Sequence, residues 1–121
     1  MSSNNAAILI LENDAATVQL YQRELGRTYR VIASADARQA LSLLDSEAIG
    51  AVILEPVAFA DSGWDLLASL VDRRRESSIP IIICSVLDER RRGISLGAAA
   101  YLVKPVLPVE LQETLDHVLQ G

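Results

Sequence analysis

The sequence predicts an α/β domain: a doubly wound, five-stranded parallel sheet flanked by five helices. Short apolar runs and amphipathic helical patterns alternate five times along the chain. Two of the runs, Ala51-Val52-Ile53-Leu54 and Ile81-Ile82-Ile83-Cys84, are almost uninterrupted, the mark of strands covered on both faces. A length of 121 residues, 50% hydrophobic and 22% charged, suits a single domain with a sizeable core. Aromatic content is only 4%, so that core must be aliphatic and alanine-rich.

Residues 1–5, Met1-Ser2-Ser3-Asn4-Asn5, read as a short frayed tail; the first strand covers 6–11. Asp14 offers a side-chain oxygen as N-cap for a helix over 15–25, with Val18, Tyr21 and Leu25 on one face and Gly26 as its stop. Residues 29–33 form a partly polar second strand, as expected near a sheet edge. Ser34 is expected to cap a second helix, with Ala37, Ala40, Leu41 and Leu44 inward. The third strand is 51–55. Ser62-Gly63-Trp64-Asp65 has the form of a capping box for a third helix ending near Arg74, with Leu66, Leu67, Leu70 and Val71 inward. The fourth strand follows Pro80. Asp88 is expected to start a short fourth helix that stops near Gly97. The fifth strand is 100–103. Pro108 suits the first turn of a fifth helix, with Leu111, Leu115, Val118 and Leu119 inward.

The composition narrows the function classes. Net charge is −5, and the pI is about 4.7. Such a chain has little electrostatic attraction for nucleic acid or anionic lipid. The single cysteine, Cys84, forms no internal disulfide and suits a reducing compartment. No apolar stretch approaches the ~20 residues that span a bilayer. The first residues have neither the basic region nor the apolar core of a signal peptide. A cytoplasmic protein with no membrane or direct nucleic-acid contact is expected.

Four strand ends carry chemistry. Glu12-Asn13-Asp14 ends the first, Glu55 the third, Ser85 the fourth and Lys104-Pro105 the fifth. In open α/β sheets that carboxyl edge is where ligands bind. A nucleotide site would need a glycine-rich turn after the first strand, and Leu11-Glu12-Asn13-Asp14 has none. Acids at two strand ends suggest a cation site instead, since hard cations such as Mg²⁺ take carboxylate ligands.

Four motifs occur in order: Ile8-Leu9-Ile10-Leu11-Glu12-Asn13-Asp14, then Val52-Ile53-Leu54-Glu55 with Gly63 beyond it, then Pro80-Ile81-Ile82-Ile83-Cys84-Ser85, then Gly97-Ala98-Ala99-Ala100-Tyr101-Leu102-Val103-Lys104-Pro105. In this the chain resembles the receiver domain of two-component response regulators, from Ala6 to about Leu119. The resemblance implies a flavodoxin-like fold and a signalling module rather than an enzyme. In the family a strand-three aspartate accepts a phosphoryl group, and two acids after strand one hold Mg²⁺ with it. A hydroxyl and a lysine grip the phosphoryl group, and an aromatic swings inward on activation. Carried over, the phosphoacceptor position is Glu55, the hydroxyl Ser85, the lysine Lys104 before a cis peptide, and the switch aromatic Tyr101. Glu12, Asn13 and Asp14 form the acidic pocket. A histidine kinase, an output domain or another receiver is the implied partner. A homodimer through residues 88–97, 100–103 and 108–119 is the implied assembly, with Arg90–Arg92 facing Glu110, Glu113 and Asp116.

The departures from the family pattern shape the expectation. Glu55 stands for aspartate, Asn13 for the second acid, Phe59 for a proline, and Ala99 and Ala100 for acids before the tyrosine. Glutamate places its carboxylate about 1.5 Å further out, and an error of about 1 Å can cost about 10²-fold in a transfer step. Asn13 keeps an oxygen but loses charge, which weakens a Mg²⁺ site. The expectation is therefore a degenerate, atypical receiver, a pseudo-receiver. No metal or cofactor is assigned to it, and a Glu55–Lys104 pair with Ser85 locks the site. The alternatives are a working phosphoacceptor using Glu55 or a nearby acid, a small-ligand sensor, and a dimerisation module.

Plainer readings compete for each residue. Glu55 could be a solvated strand-end acid, Glu12 a partner for Lys104 alone, and Asp14 a helix cap before it is a ligand. Trp64 packs where its helix starts, Cys84 fills the core, and His117 is exposed. The runs Arg73-Arg74-Arg75 and Arg90-Arg91-Arg92 are read as solvated, the first favoured by a helix C-terminus.

Overall fold

The computed structural model describes residues 6–74 and 79–120. The tail at 1–5 and Arg75, each assigned above from sequence, lie outside them. Five strands alternate with five helices: β1 Ala7–Leu11, α1 Ala15–Leu25, β2 Arg30–Ser34, α2 Ala37–Ser46, β3 Ile49–Leu54, α3 Gly63–Arg74, β4 Ile81–Ser85, α4 Arg90–Ser95, β5 Ala100–Val103 and α5 Pro108–Gln120. A 3₁₀ segment, Pro56–Ser62, joins β3 to α3. All strand pairs are parallel, in the order β2-β1-β3-β4-β5.

The period-2 alternation of each strand divides the core in two. Leu9, Leu11, Val52, Leu54, Ile81 and Ile83 face α2 and α3. Ile8, Ile10, Ala51, Ile53, Ile82 and Cys84 face α1 and α5 through Tyr21, Leu25, Leu111 and Leu115. β1, β4 and nearly all of β3 are buried, as their apolar runs require, whereas β2 is an edge strand and only half-buried. Among the described residues no helix is long and apolar enough to cross a membrane.

Several helix ends differ from the sequence reading. Asp36, not Ser34, caps α2 by accepting from Gln39 N–H at 2.9 Å. Ser34 is the last residue of β2, and its hydroxyl instead donates to Gln39 Oε1 at 2.5 Å. Ser62 makes no capping box, because its hydroxyl donates to the Phe59 carbonyl at 2.8 Å and the 3₁₀ segment runs straight into α3. Asp88 lies before α4, whose N-cap position is Glu89 without a side-chain cap bond. Glu55 is the N-cap of the 3₁₀ segment rather than a strand residue. Leu119 is 39% exposed, so α5 turns its last leucine outward. Arg73 remains exposed at the helix end, and its Nη1 donates to both carboxylate oxygens of Asp45 of α2, at 2.7 and 2.6 Å.

Candidate functional site

The strand order reverses direction between β1 and β3, the point of such a sheet's carboxyl edge where ligands are usually bound. Register fixes what lines it. Leu11 pairs with Leu54 and Leu54 with Ile83, so the residues that follow β1 and β3, Glu12 and Glu55, lie side by side. Ser85 pairs with Val103, which places Lys104 one residue beyond on the neighbouring strand. The Lys104–Pro105 peptide is cis, as the resemblance implied.

Both acids are buried, Glu12 at 5% exposure and Glu55 at 4%. Buried carboxylates need donors, and each has them. Glu12 Oε1 accepts from the Lys104 ammonium at 2.7 Å, and its Oε2 accepts from the backbone N–H groups of Asn13 and Asp14, both at 3.1 Å. Glu55 Oε1 accepts from Val57 N–H and Oε2 from Val86 N–H, each at 3.0 Å. Lys104 Nζ lies 3.4 Å from Glu55 Oε2. The closer partner of Lys104 is therefore Glu12, not Glu55: the lock is a three-residue cluster, with Glu55 held chiefly by backbone. Burial pushes the Lys104 ammonium down, but the bond to Glu12 and the charges of Glu12 and Glu55 outweigh it and raise its pKa above the ordinary lysine value.

Ser85 does not grip Glu55. It is 1% exposed, and its hydroxyl accepts from Leu87 N–H at 3.2 Å, shaping the loop after β4. Tyr101 is turned inward at 9% exposure. Its hydroxyl donates to the Leu87 carbonyl at 2.5 Å and accepts from Glu89 N–H at 3.1 Å. Glu55, Ser85 and Tyr101 thus all anchor the segment between β4 and α4.

Asp14 is exposed. It caps α1, accepting from Thr17 N–H at 3.0 Å and the Thr17 hydroxyl at 2.6 Å, and these bonds hold its carboxyl below the usual range. Asn13 is exposed. A Mg²⁺ ion, which the resemblance implies, asks for convergent, uncommitted oxygens. These residues do not fit it: Glu12 and Glu55 have both oxygens engaged, Asn13 is uncharged, and Asp14 serves α1. Among the described residues no three His, Cys, Asp or Glu side chains are grouped to hold a metal. A groove beside Lys104 is walled by Leu20, Tyr21, Val86 and Val106, but its polar members, Thr17 and Lys104, are already committed.

Cys84 lies beneath the site at 1% exposure, its sulfur 3.1 Å from the Tyr21 hydroxyl. Burial pushes the thiol pKa up. His117 is exposed, as expected. Two of the three arginines of α4, Arg90 and Arg92, have partners within the chain. Arg90 sits 3.4 Å from Asp88 and Arg92 3.8 Å from Glu89, and the Arg92 guanidinium lies 4.2 Å over the Trp64 ring. Glu110 accepts from Leu107 N–H, and Asp116 accepts from Tyr29 and Gln112. Cross-subunit charge pairing is thus not required to satisfy them.

Sequence reasoning missed the two backbone donors to Glu55 and the Arg92–Trp64 contact. The Glu55-Pro56 pair was a usable signal for the Val57 donor: an acid just before a proline is the pattern of an N-cap followed by N1. Nothing local foretold the Val86 donor or the Arg92–Trp64 contact.

The family model for the response regulator receiver domain matches residues 8–116. The chain belongs to the response regulator receiver domain family. This receiver is 32% identical over 117 residues to the probable transcriptional regulator ycf27 of Porphyridium aerugineum, covering 93% of this chain and 48% of that protein. It is 28% identical over 120 residues to the alkaline phosphatase synthesis transcriptional regulatory protein PhoP of Bacillus subtilis, covering 96% of this chain and 49% of that protein. The chain thus spans about half the length of these curated relatives. Among solved structures, the fold is shared with chemotaxis protein CheY4 of Vibrio cholerae, at TM-score 0.82 and 23% identity, covering 93% of this chain and 98% of that one. It is shared also with a CheY-like receiver protein of Methanospirillum hungatei, at TM-score 0.84 and 24% identity, covering 95% and 94%.

Proposed function

We propose that this receiver is a degenerate one, in which Glu55 stands permanently where a phosphoryl group would be bound. It works in two-component signalling through protein contacts and without the usual Mg²⁺-dependent aspartyl phosphate. The observation that carries this is the saturation of Glu55. Two backbone N–H groups and the Lys104 ammonium converge on its carboxylate. Convergent backbone N–H and ammonium donors are what a phosphoryl group seeks. An acid whose oxygens are filled by internal donors is a poor nucleophile toward incoming phosphate, and no charged pair beside it recruits the metal that phosphoryl transfer uses.

The inward Tyr101 fits the same reading. In the family resemblance an inward aromatic accompanies activation, and here it is tied to the Leu87 carbonyl and Glu89 N–H beside an acid already in place. The signalling surface would be the side of α4, β5 and α5, where Ile94 and Leu96 are 48% and 40% exposed and Val109 is 58% exposed. A histidine kinase, an output domain or a second receiver is the partner class.

Incubation with acetyl phosphate and Mg²⁺ tests the proposal by intact mass. The expected result is an unmodified chain. A phosphoryl adduct that persists on Glu55 or an adjacent acid would overturn it in favour of a working phosphoacceptor.

A further inference from the structure

Gly93 lies in the interior of α4 and is buried. Alanine is a much better helix former than glycine, so nothing in the helix itself calls for glycine there. The reason lies across the gap to β5. A Cβ on Gly93 would meet Tyr101 Cδ2 at 2.7 Å, Ile83 Cδ1 at 2.8 Å and Tyr101 Cε2 at 3.0 Å. The Tyr101 ring, together with the tip of the Ile83 side chain, therefore fills the space that any other residue's side chain would occupy.

The helix cannot simply move aside to make room. Its N-terminal end is tied down by Tyr101 itself, through the hydroxyl's bonds to Leu87 and Glu89. Gly93 N–H donates to the Glu89 carbonyl at 2.9 Å, and Ala98 N–H donates to the Gly93 carbonyl at 3.0 Å. One residue away, the Arg92 guanidinium rests on Trp64 at the start of α3, a cation–π contact that joins α4 to α3.

We infer that Gly93 is a built-in seat for the Tyr101 ring, and that with the Arg92–Trp64 clamp it selects the inward tyrosine independently of phosphate. The seat rests on the reading of the site as fixed in its engaged arrangement, and it names the positioning residue that fixes it. Glu55 holds the loop from the strand side, through Val86; Gly93 holds it from the helix side, through the ring.

The test is a reversal of sign. At an ordinary interior helix position, Gly→Ala raises the melting temperature. Here Gly93→Ala is expected to lower it by about 5 °C or more; in a Tyr101→Ala background, where the flexible Ile83 Cδ1 can rotate into the space the ring leaves, the same substitution is expected to raise it. Tyrosine nitration mapped by mass gives the conformational readout: Tyr101 is protected in the parent protein, and in Gly93→Ala reacts as readily as the half-buried Tyr29. If Gly93→Ala fails to fold, recovery in the Tyr101→Ala background carries the test. An increase in melting temperature in both backgrounds, or a Tyr101 that stays protected in a folded Gly93→Ala protein, overturns the seat. Acetyl phosphate labelling of the parent protein is scored separately: an adduct there with the sign reversal intact refutes the fixed site and keeps the seat. Loss of the reversal without an adduct refutes the seat alone.

Discussion

Replacing Lys104 with methionine removes the one cation shared by two buried carboxylates while keeping most of the side chain's apolar stem. Glu12 and Glu55 are 5% and 4% exposed, and the ammonium lies 2.7 and 3.4 Å from them. Removing one member of a buried ion pair typically costs about 3–5 kcal/mol, because the charge left behind is uncompensated. Two features place this site at the lower end. Each carboxylate keeps two backbone N–H donors, and Lys104 retains 17% exposure, so water reaches the rim. The expected loss is about 3 kcal/mol. With a urea slope of about 1.5 kcal/mol/M, the unfolding midpoint falls by about 2 M. Urea denaturation followed by Trp64 fluorescence measures this directly. Adding Glu12→Gln to Lys104→Met removes one of the stranded charges and is expected to recover about half of the loss. A loss below about 1 kcal/mol would mean that the cluster behaves as an exposed ion pair, and the burial argument would be wrong. A full loss with no recovery by Glu12→Gln would assign the effect to packing of the lysine stem.

Three further outcomes are expected. Because Lys104 has a pKa raised in the folded state, its contribution is fully present below the ordinary lysine value near 10.5 and fades as pH rises through the folded value; the stability gap between the parent protein and Lys104→Met should be flat across neutral pH and narrow only in strong alkali. Restoring the family's acids with Asn13→Asp and Glu55→Asp together should create Mg²⁺-dependent quenching of Trp64 fluorescence and acceptance of phosphate from acetyl phosphate, both absent in the parent; no response to Mg²⁺ in the double variant would show that the block lies elsewhere. Ala60 has φ 53 and ψ −130, a region that favours glycine, so Ala60→Gly should stabilise by about 0.5–1 kcal/mol once the glycine entropy is subtracted, seen as a higher melting temperature.

The architecture was legible because it depends on patterns that many residues share. The five apolar runs and the four strand-end motifs do not change meaning if one side chain is misjudged. What was not legible depends on single hydrogen bonds. Ser34 and Asp88 have the chemistry of a cap but lie two and one positions from the residue that takes the N-cap place, which sequence does not fix within a residue or two; Ser62 stands directly before α3, but its hydroxyl is taken by the Phe59 carbonyl. The partner of Lys104 could not be read either: Glu12 and Glu55 end adjacent strands, and the choice between them is a difference of 0.7 Å, from 2.7 to 3.4 Å. The Ser85 hydroxyl was assigned by analogy to the acid, whereas the bond it makes is to the backbone, accepting from Leu87 N–H. Trp64 and Arg92 meet only because α3 and α4 lie on the same side of β4, a consequence of the sheet order rather than of any local signal.

Cys84 gives the molecule an internal clock. It is the one sulfhydryl in the chain, sealed beneath the carboxylate cluster against Tyr21, with burial keeping it in the unreactive thiol form. An alkylating reagent reaches it when the layer of α1 and α5 parts from the sheet or the carboxyl end of β4 opens. The rate of labelling in native buffer therefore counts those openings, and comparing it with the global unfolding rate tells whether the signalling edge breathes on its own or only when the whole domain comes apart.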